Sequence, residues 1–365
     1  MTRPLLFCAL LLALLSCKKN THDDPPPVTP PVAPAAAYFP PSGSPAWETI
    51  APATAGWNSA ALDTLAPWLQ SKNTKAFIIL KNGRIAYEKY FGTFSADSNW
   101  YWASAGKTAT ALLAGIAVQE GRLNIDNKVS QYLGTGWTSA PLAKENLITV
   151  KHLLTMTSGL DDAVADDDCT TPACLRYRAD AGTRWAYHNG AHNKLHDVIE
   201  VATGVSYNQY FAQRVRDRIG MNGLWFMSGY NLIYGSTARS AARFGLLLQH
   251  MGQWSGTSIA DSGWLATQVN STQALNASYG YLTWLNGKSS FMVPQTQQTF
   301  PGALLPQAPA DLFAALGKND QKIYVSRAHG LVVVRLGNAA GGVTLASSGF
   351  DNELWGKLRT VIGGW

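Results

Sequence analysis

Ser104-Ala105-Gly106-Lys107 stands at the head of an apolar run, residues 108–118, and the reading of that junction decides what the chain is. The run predicts a buried helix over about residues 104–120 that stops near Gly121. Residues at i and i+3 share a helix face, so the Lys107 amine comes within reach of the Ser104 hydroxyl. Serine is a weak nucleophile until an adjacent base takes its proton. An amine half-buried under a helix loses the stabilisation of its charge, and its pKa falls toward neutrality. Ser104 is therefore the candidate nucleophile and Lys107 its candidate base. A second Ser-x-x-Lys, Ser16 to Lys19, sits in a terminal segment unsuited to an active site.

The surrounding chain is that of a globular protein with a substantial core: 365 residues, 46% hydrophobic and 14% charged. That length suits one large domain or two ordinary ones. The thirteen Trp read first as core and rim packing and second as cleft lining. Lys and Arg are scattered singly, so the formal charge of +6 is a modest surface bias and no nucleic-acid footprint. No Gly-x-Ser-x-Gly elbow is present, which argues against an α/β-hydrolase.

The N-terminus reads as a targeting segment. Arg3 precedes an apolar stretch, residues 5–15, too short to span a bilayer. It ends in Leu14-Leu15-Ser16-Cys17, which resembles the bacterial lipoprotein processing box. The expectation is a signal peptide over 1–16, an acylated Cys17, and a Pro-rich tether over 17–47 able to reach roughly 90 Å from the membrane. The mature protein would then be exported, facing the periplasm or the exterior, and touch the membrane through its lipid alone. Cys8 lies in the signal. Cys169 and Cys174, an even pair flanking a turn with Pro172 in an exported chain, predict a small disulfide loop.

Along the body, residues 75–81 and 84–91 are β-rich and flank Asn82-Gly83, the strongest short hairpin signal. A short helix is expected at 149–156 and an acidic loop at 161–180. Helices are expected near 191–203, 206–218, 237–253 and 261–270. Strands return at 279–285, 321–326 and 331–336, and a helix closes the chain at 351–362. The fold class is therefore α+β: a central antiparallel sheet built from both chain ends, with flanking helices and an inserted helical lobe. The domain spans 48–365, with a sheet lobe at about 48–103 and 271–365 and a helical lobe at about 104–270.

Two further motifs bear on chemistry. Tyr187-His188-Asn189 precedes a helix. A tyrosine beside a lysine can relay a proton, because a nearby cation lowers its pKa, and the Asn189 amide can hold a substrate carbonyl or the lysine. Alone, this would read as a turn tyrosine with a capping asparagine. In Gly317-Lys318-Asn319-Asp320-Gln321, Lys318 at a strand edge can bind an anionic group. The Gln321 backbone N–H can join that of Ser104 as an oxyanion hole. Alone, this would read as a solvated strand edge.

In order and spacing the three motifs resemble the penicillin-recognising serine hydrolases over about residues 50–362. The closest branch holds class C β-lactamases, D-Ala-D-Ala carboxypeptidases, related esterases and 6-aminohexanoate-dimer hydrolases. The stretches His152-Leu153-Leu154-Thr155-Met156-Thr157-Ser158-Gly159 and Gly182-Thr183-Arg184-Trp185-Ala186-Tyr187 are similar in kind. The resemblance implies a β-lactamase/transpeptidase-like fold with Ser104 as nucleophile, Lys107 as base, Tyr187 as proton shuttle and Asn189 as substrate ligand. It also implies that no cofactor is needed. The chain departs at Asp320, where glycine is usual; the carboxylate there is expected to crowd the cleft, repel anionic substrates or pair with Lys318. Glu120-Gly121-Arg122-Leu123-Asn124 mimics a class A water-activating element but comes too early in the chain, and reads as the turn ending the helix. His188, His192 and His196 fall at i, i+4 and i+8 without a protease glutamate, and are not read as a metal site.

The function expected is an exported serine hydrolase cleaving a small-molecule amide or ester through an acyl-Ser104 intermediate, with peptidoglycan-related compounds among the candidate substrates. The alternatives are a penicillin-binding DD-peptidase or β-lactamase proper, and a degenerate ligand-binding lipoprotein motivated by Asp320.

Overall fold

Asn82 and Gly83 both adopt positive φ, 49° and 84°, as a two-residue hairpin turn matched to strand twist requires. They join β1 (Thr74–Lys81) to β2 (Arg84–Tyr90) in a computed structural model that describes Met1, residues 37–342 and residues 347–365. The expected signal peptide, Cys8, Cys17 and most of the tether lie outside the described residues. No helix among the described residues is long and apolar enough to cross a membrane.

After β2 come β3 (Asn99–Tyr101), then α1 (Gly106–Gln119), α2 (Val150–Leu154) and α3 (Asn189–Thr203). A hairpin of β4 (Leu224–Ser228) and β5 (Asn231–Thr237) leads into α4 (Ala238–Gln249). The chain then forms β6 (Trp284–Leu285), β7 (Phe313–Gly317), β8 (Gln321–Ser326), β9 (Leu331–Gly337) and α5 (Gly349–Ile362). The central six-stranded sheet runs β2-β1-β9-β8-β7-β6, and each of its pairings is antiparallel. Its strands do come from both ends of the chain. A smaller sheet, β3-β5-β4, takes β4 and β5 from the segment expected to form the helical lobe.

Both faces of the central sheet are covered, as β8 shows. All six of its residues are buried, and successive side chains point to opposite faces. Lys322 and Tyr324 meet Asp351 and Trp355 of α5, whereas Ile323 lies under Gly245 of α4. At Gly245 an added Cβ would sit 2.5 Å from Val332, so glycine lets α4 close onto the sheet. α1 is buried from Gly106 to Ala117; a helix apolar all round belongs in an interior, and this one carries the Ser104 turn into the middle of the molecule.

The docked chain begins upstream of residue 48, inside the stretch the sequence assigns to the tether. Tyr38 N donates to Asn82 O at 3.0 Å and Trp47 Nε1 to Gly83 O at 2.7 Å. The buried Arg243 guanidinium donates to the Pro40 and Pro41 carbonyls. Proline carbonyls without neighbouring N–H groups are natural acceptors for such a fork.

Candidate active site

The turn leading into α1 holds Ser104 through an unusual backbone. Ala103 has φ of +48°, a region that non-glycine residues seldom occupy and that clusters at functional sites. Residues 103–105 form a single 3-10 turn before the α-helix starts, which places Ser104 and Lys107 on one face. Lys107 Nζ lies 3.3 Å from Ser104 Oγ. The lysine side chain is buried, only 6% exposed, and that burial pulls its pKa down to about 8 against the opposing pull of Asp168 and Asp167. A useful fraction of Lys107 is thus the free amine near neutral pH.

Tyr187 closes the other side. Its hydroxyl is hydrogen-bonded to Ser104, and Lys107 Nζ lies 5.3 Å from its ring centroid. Here one expectation is corrected. Burial pushes the Tyr187 hydroxyl well above its ordinary pKa, outweighing the bond to Ser104; the lysine does not bring it down. Tyr187 is a neutral phenol, so the deprotonating role falls to Lys107. Trp185, Tyr279 and Trp284 surround Tyr187 edge-on and face-on, and this apolar jacket is the cause of the shift.

Asn189 opens α3, and His188 rather than the asparagine caps that helix, accepting from Ala191 N. Asn189 Nδ2 points to Asp167 Oδ2 at 3.4 Å, while its Oδ1 is buried without a partner among the described residues. Ser104, Lys107, Tyr187, Asn189 and Lys318 all line one cleft of about 430 Å³. Cys169 and Cys174 form a disulfide with Cα atoms 5.9 Å apart, and the acidic loop just before it, Asp167 and Asp168, lines the same cleft.

The third motif is placed differently from its sequence reading. β7, which the sequence pattern missed, ends at Gly317; Lys318–Asp320 form a turn, and Gln321 begins the next strand inward. Gln321 is fully buried and does not line the cleft. Its side-chain amide donates to Asn319 O (2.9 Å) and Gly337 O (2.6 Å) and accepts from Gly337 N (3.1 Å). The strand residue that meets the nucleophile's turn is Gly317: an added Cβ would stand 2.3 Å from Trp102 O and 3.0 Å from Ala105 N. A glycine ending an alanine-rich strand was the only sequence signal for this close approach.

Asp320 neither crowds the cleft nor pairs with Lys318. It is 1% exposed and turned into the core, where it receives Ala340 N (2.9 Å) and Ser348 Oγ (2.7 Å) and pairs with the fully buried Lys322 at 3.2 Å. Lys322 also pairs with Asp351 of α5 at 2.9 Å. Burial alone would raise the Asp320 carboxyl, but the Lys322 charge and these hydrogen bonds hold it below the ordinary range. Its φ of +60° explains why glycine suits the position; the side chain has simply found partners on the far side. The reason to suspect a blocked cleft is thereby gone.

Glu120 lies just past α1 and is held by Arg214, Arg122 and Tyr210, a structural clamp away from Ser104. His192 and His196 stack edge-on, centroids 5.1 Å apart, and no group of three or more His, Cys, Asp and Glu suited to a metal occurs among the described residues.

Comparison with known proteins agrees with this architecture. The family model described as Beta-lactamase matches residues 70–353. An uncharacterized protein of Alkalihalophilus pseudofirmus is 24% identical over 72% of this chain and 83% of its own. Among solved structures, a penicillin-binding protein homologue from Caulobacter crescentus superposes with TM-score 0.63 at 14% identity, covering 82% of this chain and 96% of that one. A beta-lactamase from Mycobacterium bovis gives TM-score 0.58 at 18% identity over 82% and 98%.

Proposed function

The chain belongs to the Beta-lactamase family, and on that premise we propose that it is a serine hydrolase cleaving an amide or ester through an acyl-Ser104 intermediate. The observation that carries this reading is the buried Lys107 amine 3.3 Å from Ser104 Oγ in a cleft deep enough for a small substrate. Ser104 Oγ attacks the acyl carbon and its proton passes to Lys107 Nζ. The bond to the leaving group then breaks, and that group takes the proton back from Lys107 through the neutral Tyr187 hydroxyl. Water repeats the sequence in reverse and frees Ser104. Asn189, whose buried Oδ1 has no partner among the described residues, positions an N–H of the substrate, and Lys318 stands ready for an anionic group. The N-terminal sequence supports export as a lipoprotein acylated at Cys17.

Incubating the protein with a fluorophosphonate tests this reading. The serine oxygen displaces fluoride, and intact mass should show one adduct on wild type and none on Ser104→Ala. A folded wild-type protein that takes no adduct would overturn the proposal.

A further inference from the structure

The hairpin of β4 and β5 is apolar where it meets solvent. Leu224, Phe226, Met227 and Tyr230 are 54, 39, 63 and 40% exposed, and no other element among the described residues shows as many large apolar side chains to water. Single exposed hydrophobics need no explanation, but a group of them on one element marks a contact surface. Leu224 and Phe226 alternate with the buried Trp225 and so share the outer face of the strand. The free edge of β4 is capped at its centre. Trp225 N donates to Asn208 Oδ1 at 2.8 Å, and Asn208 Nδ2 donates to Trp225 O at 2.7 Å. That cap argues against a second copy adding a strand here and leaves the side chains as the contact.

The chain beside the hairpin is basic. Arg214, Arg216 and Arg218 lead into β4, and Asp217 is the one carboxylate in residues 214–237. Arg214 and Arg216 pair with Glu120 and Asp217, whereas Arg218 is exposed and forms no ion pair among the described residues. The start of the docked chain lies against this corner. Ser42 Oγ donates to Arg218 O at 3.1 Å, and a Cβ on Gly220 would stand 2.4 Å from Ser42 O. Upstream, residues 18–36 can extend at most about 60 Å from Cys17. An acyl anchor on Cys17 therefore keeps the hairpin at an effective concentration on the order of millimolar at the bilayer surface. Under that condition a face too small to hold a membrane by itself supplies the second of two weak contacts.

We infer that the β4–β5 hairpin docks on the bilayer to which Cys17 anchors the chain, its apolar side chains entering the headgroup boundary and Arg218 meeting anionic lipid. The inference rests on the acylated-lipoprotein reading and adds a protein contact to the lipid one. Ser228, Asn231, Leu232 and Ile233 of the same hairpin line the cleft, so docking sets the mouth of the cleft at the lipid–water interface.

A fluorescent probe on the full mature chain tests the docking. With Cys17 acylated and Cys169 bonded to Cys174, an added cysteine is the thiol free to react. Met227→Cys and Thr360→Cys, the latter exposed on α5 across the central sheet, are labelled with nitrobenzoxadiazole. Each is reconstituted in vesicles of phosphatidylcholine and phosphatidylglycerol that carry a nitroxide lipid. The probe at 227 should emit at shorter wavelength and lose emission to the nitroxide, and the probe at 360 should do neither. The loss at 227 should shrink in phosphatidylcholine alone, and again when Leu224→Ser and Phe226→Ser are added. If intact mass confirms the acyl chains and the probe at 227 is quenched no more than that at 360, the inference is overturned and the anchor stands. A shorter wavelength at 227 without quenching marks contact with another copy of the protein and overturns it as well. An intact mass without acyl chains removes the lipoprotein reading and the inference with it.

Discussion

At the scale of single residues the protein turns on how burial sets proton affinities. Lys107, brought to about 8 by burial, is the base only when neutral. Labelling of Ser104 by a fluorophosphonate should therefore rise with pH, with a midpoint near 8, and level off above it. The groups facing Lys107 are Ser104, Tyr187, His192, Asp167 and Asp168, and of these the two carboxylates hold the proton on. Asp168→Asn should move the midpoint to lower pH; a midpoint unchanged or higher would contradict the electrostatics described. The Ser104 and Lys107 pairing was legible in sequence because i, i+3 geometry is local to one helix. The state of Tyr187 was not, because its pKa is governed by Trp185, Tyr279 and Trp284, two of which are some hundred residues away along the chain. Asp320 misled for a related reason: sequence shows which residue occupies a position but not to which side of the sheet it turns.

At the scale of elements, the site depends on how closely β7 and the turn before α1 can approach. Gly317→Ala would drive a Cβ into the Trp102 carbonyl, a backbone atom that cannot swing aside. The nucleophile's turn should shift by a fraction of an ångström or more, and acylation should slow by about 100-fold, the penalty typical of a small misplacement. Rates of fluorophosphonate labelling, with circular dichroism to show an unchanged fold, measure it; labelling at the wild-type rate would refute the argument. The hairpin of β1 and β2 was readable from Asn82-Gly83, and α1, α3, α4 and α5 from their apolar periodicity. β7 escaped because Phe313-Ala314-Ala315-Leu316-Gly317 lacks β-branched residues and is buried on both faces, so neither propensity nor alternation marks it. β4 and β5 escaped because their strand character comes from pairing with each other and with β3.

At the scale of the whole molecule, the sheet from both chain ends was foreseeable from strand-rich termini, while the start of the body was not: residues 38–47 look like linker by composition, yet Arg243 and the β1–β2 turn hold them down. The sheet and the closing helix are joined by buried charge, Lys322 between Asp320 and Asp351. Asp320→Asn leaves Lys322 paired with Asp351 but takes away its second carboxylate and a charged acceptor for Ala340 N and Ser348 Oγ, so it should cost about 1.5–3 kcal/mol, lowering Tm by on the order of 5 °C. Because the folded Asp320 carboxyl titrates below the ordinary range, its contribution is present above about pH 4 and is lost as pH falls further. The difference between wild type and Asp320→Asn in denaturant titrations should accordingly narrow from pH 7 to pH 3. A variant as stable as wild type at pH 7 would refute this. The same cluster constrains which residues position 320 can hold. The left-handed backbone at position 320 would welcome glycine, yet Lys322, Ser348 Oγ and Ala340 N all bond the carboxylate. Glycine there would give up all three bonds at once, so position 320 answers to the packing of that corner of the core, whereas the residues lining the cleft answer to substrate.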